Sequence, residues 1–398
     1  MNQPLKQHLI DPEICIRCYT CEAACPISAI THDDNNVVVD AEKCNFCMDC
    51  ISPCPTGSID NWRVVTAPYS LAEQFSWDEL PAQLALSGEA GGADTSIEAL
   101  DENVAALLAE AHKGAGGKAR APASASKPTI NLYNLAKPAM ATVQGNYRLT
   151  SETSDTDVRH IILDFANLPF PMLEGQTIGI IPPGLDAEGK PHLPRLYSLS
   201  SPRDGERANF NNLSLTVKRE PDGVCSSYIC NLRKGDKVAV TGPFGSTFLL
   251  PCDPQAKLLM ICTGTGAAPF RGFTMRRQRE NPHLKGHLSL YFGARSPHDL
   301  PYFGPLAKVP DAFLGKYFAF SRQADLPKQY VQDRLRATRD HVATLLRDND
   351  TYIYICGLRA MENGVEEALA DIARGIGLDW VKLRDTMREA GRYHVETY

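Results

Sequence analysis

No apolar run in the 398 residues approaches the ~20 that a membrane-spanning helix requires. The opening, MNQPLKQHLIDPE, lacks the charged-then-apolar pattern of a secretory leader. Positive charge is not in excess: Lys and Arg number 41 against 47 Asp and Glu, a net charge of −6. That argues against general nucleic-acid binding, which needs a basic footprint. These absences lead us to expect a cytoplasmic protein with no membrane segment and no nucleic-acid partner. Cysteine is sparse beyond Cys54, recurring only as Cys225, Cys230, Cys252, Cys262 and Cys356. Hydrophobic residues at 43% and charged residues at 22% suit a folded globular chain. Its length implies two or three domains.

The other eight cysteines form two dense runs. CIRCYTCEAACP begins at Cys15 and CNFCMDCISPCP at Cys44. Aligned at an offset of 29, they share more than cysteine: Asp11 matches Asp40, Glu13 matches Glu42, Pro26 matches Pro55 and Ile30 matches Ile59. This is an internal repeat. Each copy reads C-x2-C-x2-C-x3-C-P. Three cysteines at every third position wrap a tight loop around one face of an iron–sulfur cube, and the fourth reaches the cube held by the other copy. Cys15, Cys18, Cys21 and Cys54 are therefore assigned to one cluster, and Cys44, Cys47, Cys50 and Cys25 to the other. Thiolates also suit zinc, but zinc ribbons usually pair two CxxC knuckles across a longer gap. In a reducing compartment disulfides are the poorer reading. Roughly the first 65 residues resemble the bacterial two-cluster ferredoxins, which implies two [4Fe-4S] centres passing single electrons.

From Thr66 to Lys127 no chemistry motif is present. The stretch 94–113 reads as a helix, with Thr95 and Glu98 forming a capping box and Ile97, Leu100, Val104, Leu107, Leu108 and Ala111 on one face. AGGKARAPASASKP reads as a flexible linker, a tether on which the cluster domain could visit both donor and acceptor.

From Pro128 to Pro251 strand signals dominate. LSLTVKRE alternates, with Leu213, Leu215 and Val217 on one side, and an antiparallel barrel is expected. RLYSLSS offers Arg195 and Tyr197 on one face and Ser198 on the other. An arginine can clamp phosphate, a tyrosine can stack on a flat ring and a serine can hydrogen-bond a ring nitrogen. GVCSSYICNL reads as a turn at Gly223 opening a short helix, whose free N–H groups can receive a pyrophosphate. Taken singly, these are also an ordinary strand and an ordinary capped helix. Together with LRKGDKVAVTGPFG they resemble the plant-type ferredoxin–NADP reductases, over about residues 140 to 398. The resemblance implies FAD, with Arg195 on its phosphates, Tyr197 against the flavin, Ser198 facing flavin N5, and Gly223, Val224, Cys225 and Ser226 around the pyrophosphate.

Beyond Ala256 strands alternate with helices, as in a doubly wound α/β domain. TGTGAAP joins a strand to a helix, where dinucleotide phosphates would sit, but Pro269 stands where the usual fingerprint has its last glycine. The reductase resemblance implies nucleotide contacts from Thr263, Gly264, Thr265, Gly266 and Pro269. It also implies a 2′-phosphate site at Ser321, Arg322, Lys328, Tyr330 and Gln332; a hydroxyl, two cations and a stacking ring suit a phosphate beside adenine. No acidic residue replaces Ser321, as an NAD site would often require, so NADPH is the expected nucleotide. Cys356 ends a strand at the usual ligand edge. Tyr398 matches the family's flavin-stacking terminal aromatic and Glu396 its pocket carboxylate. Ser198, Cys356, Glu396 and Tyr398 make up the expected catalytic pocket.

The expected architecture is α+β and multidomain: a two-cluster ferredoxin domain (1–65), a linker with one helix (66–127), an FAD-binding antiparallel β-barrel (128–251) and an NADP-binding doubly wound α/β domain (252–398). Flavin converts a two-electron hydride donor to one-electron carriers, so the expected route runs from NADPH through FAD to the clusters. A cluster unit ahead of a plant-type reductase resembles the reductase components of bacterial benzoyl-CoA oxygenase systems. That implies delivery of electrons to a separate di-iron oxygenase subunit in aerobic benzoate breakdown. Rival readings are a reductase running in reverse to reduce NADP, service to a different oxygenase or a sulfur-metabolism enzyme, and a zinc-bound interaction module on a degenerate reductase.

Overall fold

The structure, a computed structural model, describes residues 5–13, 15–47, 49–51, 54, 58–59, 61–81, 120–186, 189–208, 210–323 and 326–398. The helix expected at 94–113 lies outside the described residues. Among them, no helix is long and apolar enough to cross a membrane.

The repeat folds around two small antiparallel pairs. In chain order these are β1 (Leu5–Leu9), α1 (Thr20–Ala24), β2 (Ile30–His32), β3 (Val37–Val39), β4 (Asn61–Val65) and α2 (Leu71–Phe75). β1 pairs with β4 and β2 with β3. The first cysteine run therefore lies between β1 and β2, and the second between β3 and β4. The repeat-matched Ile30 and Ile59 are both buried, in one core with Val37, Val39, Trp62, Cys21 and Cys50. Ser70 and Glu73 cap α2 reciprocally. Gln74 on α2 bonds both the carbonyl and the amide of Val39, at 3.0 and 3.2 Å. Arg63 Nε donates to Pro81 O at 3.0 Å. The segment after residue 65, expected to be linker, thus packs back on the cluster unit as far as Pro81.

The end of the expected flexible linker is also pinned. Cys252 N–H donates to Ser124 O at 3.1 Å, Arg203 donates to Ser126 Oγ at 2.8 Å, and Lys127 pairs with Glu13 and, at 3.6 Å, with Asp11. Small residues let this strap lie close to the surface it crosses: a Cβ on Gly391 would come 2.2 Å from Ala121 O. Val64 of β4 is fully buried within the core of the next unit. The cluster unit is thereby packed against that neighbour in this structure.

That neighbour comprises β5 (Ala139–Arg148), β6 (Val158–Asp164), β7 (Thr177–Ile181), β8 (Arg195–Ser198), β9 (Asn212–Lys218), α3 (Val224–Asn231) and β10 (Lys237–Phe244). The sheet runs β8-β7-β10-β5-β6-β9, all antiparallel, and a bridge between Leu199 and Leu215 joins its two ends. Leu213, Leu215 and Val217, alternating along β9, fill its core. The last unit has β11 (Lys257–Thr263), α4 (Ala267–Glu280), β12 (Leu288–Ala294), α5 (Phe303–Lys308), β13 (Leu314–Phe320), α6 (Val331–Ala337), α7 (Arg339–Leu346), β14 (Thr351–Gly357), α8 (Arg359–Gly375), α9 (Trp380–Glu389) and β15 (Tyr393–Thr397). Its sheet is parallel, in the order β13-β12-β11-β14-β15. Chain direction across the sheet reverses at β11, so the ligand crevice falls at its carboxyl end.

An ionic lock joins barrel and α/β unit. Arg271 on α4 grips Glu206 with two bonds of 2.7 Å. His160 lies 3.3 Å from the same carboxylate, and Tyr302 OH bridges His160 at 2.8 Å and Thr216 at 2.6 Å. Burial would raise the Glu206 pKa, but His160 and Arg271 outweigh it and hold the carboxyl well below the ordinary 4.5. A depressed carboxyl contributes its stability above the unfolded pKa and loses it as pH falls. Glu206→Gln is expected to lower unfolding stability by about 3 kcal/mol at neutral pH, because it strands Arg271. The gap to the unmodified protein should narrow progressively as pH falls below ~4; denaturant unfolding across pH checks both.

Candidate functional site

The first cavity, of about 580 Å³, opens between barrel and α/β unit. Its walls include Arg195, Leu196, Tyr197 and Ser198 of β8, and Gly223, Val224, Cys225 and Ser226 at the start of α3. Thr177 and Thr216–Lys218 also line the barrel side, with Thr265, Glu396 and Tyr398 among those opposite. All seven barrel residues singled out by sequence meet in this one space. β8 is an end strand of its sheet, so the cavity reaches residues of both its faces, not only the Arg195–Tyr197 face. Gly223 precedes α3 with φ −84° and ψ 105°. A Cβ there would fall 2.3 Å from Ser226 Oγ, so glycine keeps the helix start open. The unshared N–H groups of that first turn can receive an anion.

The opposite wall is built by strand register. Cys356 of β14 lies beside Cys262 of β11 and Glu396 of β15. Glu396 is only 6% exposed, and burial pushes its carboxyl up to about 8. Cys356 does not reach the cavity. It is 1% exposed, and burial drives its thiol well above the ordinary range, with Glu396 adding to the effect. Its carbonyl instead supports the glycine loop: a Cβ on Gly266 would lie 2.2 Å from Cys356 O. Tyr398 is held through its backbone, donating to Gly357 O at 3.0 Å and accepting from Arg359 N–H at 3.2 Å. Its hydroxyl meets Thr265 Oγ1 at 2.7 Å.

A second cavity, of about 750 Å³, adjoins the first and shares Tyr398 and Thr265 with it. Thr263, Gly264, Ser321, Arg322, Lys328, Tyr330 and Gln332 line it, so the five residues of the expected 2′-phosphate site do converge. Two backbone bonds arrange them: Ser321 N–H to Ala294 O at 3.1 Å and Arg322 N–H to Arg295 O at 2.7 Å. These bring a further cation, Arg295, onto the same wall. Sequence reading missed it, although its place just after β12 puts it on the ligand edge. Gly266 and Pro269 are not on the wall. Both are buried; Gly266 permits close packing on β14, and Pro269 occupies the first turn of α4, where no N–H is needed.

The cysteines of the two runs lie close to one another in two groups. Cys44, Cys47 and Cys50 surround one small cavity together with Cys25 from the other run, His8 and Phe46. Burial raises the Cys21 thiol to about 12, and the thiols that add to this are Cys54, Cys15 and Cys18. Arg17 and Phe46 occupy equivalent places in the repeat, and both are left-handed, with φ 54° and 60°. Non-glycine residues rarely adopt that backbone; here it recurs at matched places in the two cysteine loops. Ala29 N–H donates to Cys25 Sγ at 3.2 Å. An all-sulfur donor set with amide support fits iron–sulfur ligation.

Known proteins match this division. Residues 7–55 match the 4Fe-4S dicluster domain family and residues 260–367 the oxidoreductase NAD-binding domain family. A ferredoxin–NADP reductase of Thermosynechococcus vestitus is 40% identical over 331 residues, covering 77% of this chain and 85% of that protein. The chain belongs to the ferredoxin–NADP reductase family. Another member, from Spirulina, is 38% identical and covers 68% of this chain and 98% of its own length. The solved structure of the Plasmodium falciparum reductase with 2′P-AMP is 26% identical, with a TM-score of 0.54 over 68% of this chain and 99% of that one. Members of the family are NADP-dependent oxidoreductases, and the dicluster match extends this chain with an iron–sulfur unit.

Arg322→Ala is expected to raise the KM for NADPH roughly 10–100-fold, the loss of a charge-assisted bond, with little change for NADH; steady-state kinetics with both nucleotides check it. A folded carboxyl at about 8 against 4.5 holds a proton that the unfolded chain has released. Stability should therefore fall as pH rises across that window, and Glu396→Gln should flatten the slope in denaturant unfolding.

Proposed function

We propose that this chain takes hydride from NADPH and sends the electrons out singly, through its eight N-terminal thiolates, to a separate oxygenase component. The acceptor is a di-iron benzoyl-CoA 2,3-epoxidase of aerobic benzoate degradation. One observation carries the electron route: a dicluster unit and a reductase occupy the same chain, packed together through Val64 and Lys127. The order of these parts, shared with benzoyl-CoA oxygenase reductases, supports the choice of acceptor.

FAD, when bound, supplies the exchange between a two-electron donor and one-electron carriers. The chain's own residues hold and align. Arg195 and the N–H groups from Gly223 to Ser226 take the flavin nucleotide's phosphates. Tyr197 would pack on its ring and Ser198 would lie at the reacting edge. Ser321, Arg322 and Lys328 take the 2′-phosphate of NADPH, Tyr330 stacks on its adenine and Gln332 closes that end. Thr263, Gly264 and Thr265 guide its middle. Tyr398, which lines both cavities, would cover the flavin side and would have to give way to the nicotinamide ring. Glu396 keeps a proton at neutral pH beside the reacting faces, and Cys356 fixes the loop beneath them. Alignment of donor and acceptor atoms is the main catalytic contribution.

The test is anaerobic NADPH addition to the holoprotein, followed by oxygenase component, benzoyl-CoA and oxygen. Coupled consumption of NADPH and benzoyl-CoA is expected. Full reduction by NADPH with no transfer to the oxygenase would overturn the acceptor. Cluster and flavin midpoint potentials that favour reduction of NADP over reduction of the clusters would overturn the direction.

A further inference from the structure

Three cavities follow one another: the first two lie near opposite ends of β9, and the last two share Phe46. The flavin-side cavity touches Thr216, Val217 and Lys218 near one end of β9. A cleft of about 320 Å³ touches Asn212 and Leu213 near the other end of the same strand. Thr216 and Leu213 are three residues apart, about 10 Å along a strand. Two other segments span the same wall: Ser198 lines the first cavity and Arg203 the cleft, Thr177 the first and Met172 the cleft. The far side of the cleft is the cluster unit, represented by Leu5, Lys6 and Phe46. Phe46 also lines the cavity formed by Cys25, Cys44, Cys47 and Cys50. Behind it, Trp62 lies 5.7 Å away, ring to ring, with His8 stacked on that indole at 4.0 Å.

The first cysteine run is placed differently. Its loop shows Ile16, 63% exposed, with Tyr19 and Cys18 also exposed; Phe46 is exposed as well, so it is the lining of the cleft that distinguishes the two loops. None of residues 15–25 lines the cleft. Lys127 anchors the turn leading into that run, through Asp11 and Glu13.

The geometry points to an ordered relay: the cluster held by Cys44, Cys47, Cys50 and Cys25 is the inlet, receiving electrons from the flavin site past the Leu213–Thr216 wall and Phe46, and the cluster held by Cys15, Cys18, Cys21 and Cys54 is the outlet. This rests on the proposed function above. Each transfer moves one electron. Reduced flavin loses it and the oxidised inlet cluster gains it; the inlet cluster then passes it to the oxidised outlet cluster, which gives it to the external acceptor. Two such passages reoxidise one reduced flavin, whose protons leave to solvent.

The repeat supplies an internal control, because Arg17 is the first-run equivalent of Phe46. Holoprotein variants Phe46→Ala and Arg17→Ala are mixed anaerobically with NADPH. Flavin bleaching is followed by stopped-flow, and cluster reduction by freeze-quench electron spin resonance, with iron content measured on each. Phe46→Ala is expected to leave flavin bleaching unchanged and slow cluster reduction several-fold, while Arg17→Ala changes neither. Unchanged cluster reduction in Phe46→Ala, or equal slowing in both, overturns the order. Ligand variants give an independent reading. Cys18→Ser should leave the inlet cluster reducing at the unmodified rate. Cys47→Ser should leave the flavin bleaching normally and the outlet cluster reducing far more slowly. The opposite pattern overturns the proposal. Failure of NADPH to bleach the flavin in the unmodified protein would sink the proposed function instead, before the relay order is reached.

Discussion

The structure depends on one lock: the Glu206 carboxylate clamped by Arg271 across the seam between barrel and α/β unit. Two nucleotide cavities meet at that seam, and neither unit encloses them alone. β8, β9 and α3 offer one side, and β15 and the glycine loop offer the other. Hydride transfer tolerates little error in separation, so a fixed seam is the structural prerequisite. His160 and Tyr302 extend the lock to Thr216, which itself lines the first cavity. Lock and cavity wall thus share a residue.

The second constraint is the packing of the cluster unit. A single buried valine, a lysine pinned to two carboxylates, and a strap of small residues hold it against the barrel. This orientation gives the two cysteine runs different surroundings despite their common origin. One loop tip lines the cleft beside the barrel through Phe46, and the other does not. A repeat of equivalent units becomes a directional wire through placement alone.

Much of this was legible in the chain because the signals are local. Cysteine spacing fixes which thiolates share a loop, and the exchange of fourth ligands follows from the reach of that loop. Ser321, Arg322, Lys328, Tyr330 and Gln332 fall within twelve residues, so their common cavity could be anticipated. Arg295 was missed, because it joins them through a register between neighbouring strands and only its place just after β12 marked it. Cys356 was placed at the right strand end but one layer too near the cavity, since burial behind a loop leaves no mark in sequence. Gly266 and Pro269 shape the loop and do not touch its ligand space. The segment 120–127 looked flexible because Ala, Ser and Pro dominate it; the same small residues let it lie flat and bond across two units. For α2, the capping pair Ser70 and Glu73 was present in the sequence and went unread.

The central claim is that paired electrons enter through one nucleotide site and leave singly through N-terminal iron. Stoichiometric anaerobic titration measures this directly. Flavin takes two electrons and each of two clusters takes one, so full reduction requires about two equivalents of NADPH per chain. An end point near two equivalents, with cluster spin signals growing in, is the predicted result. An end point at about one equivalent, with the flavin bleached and no spin signal from iron, would contradict the account.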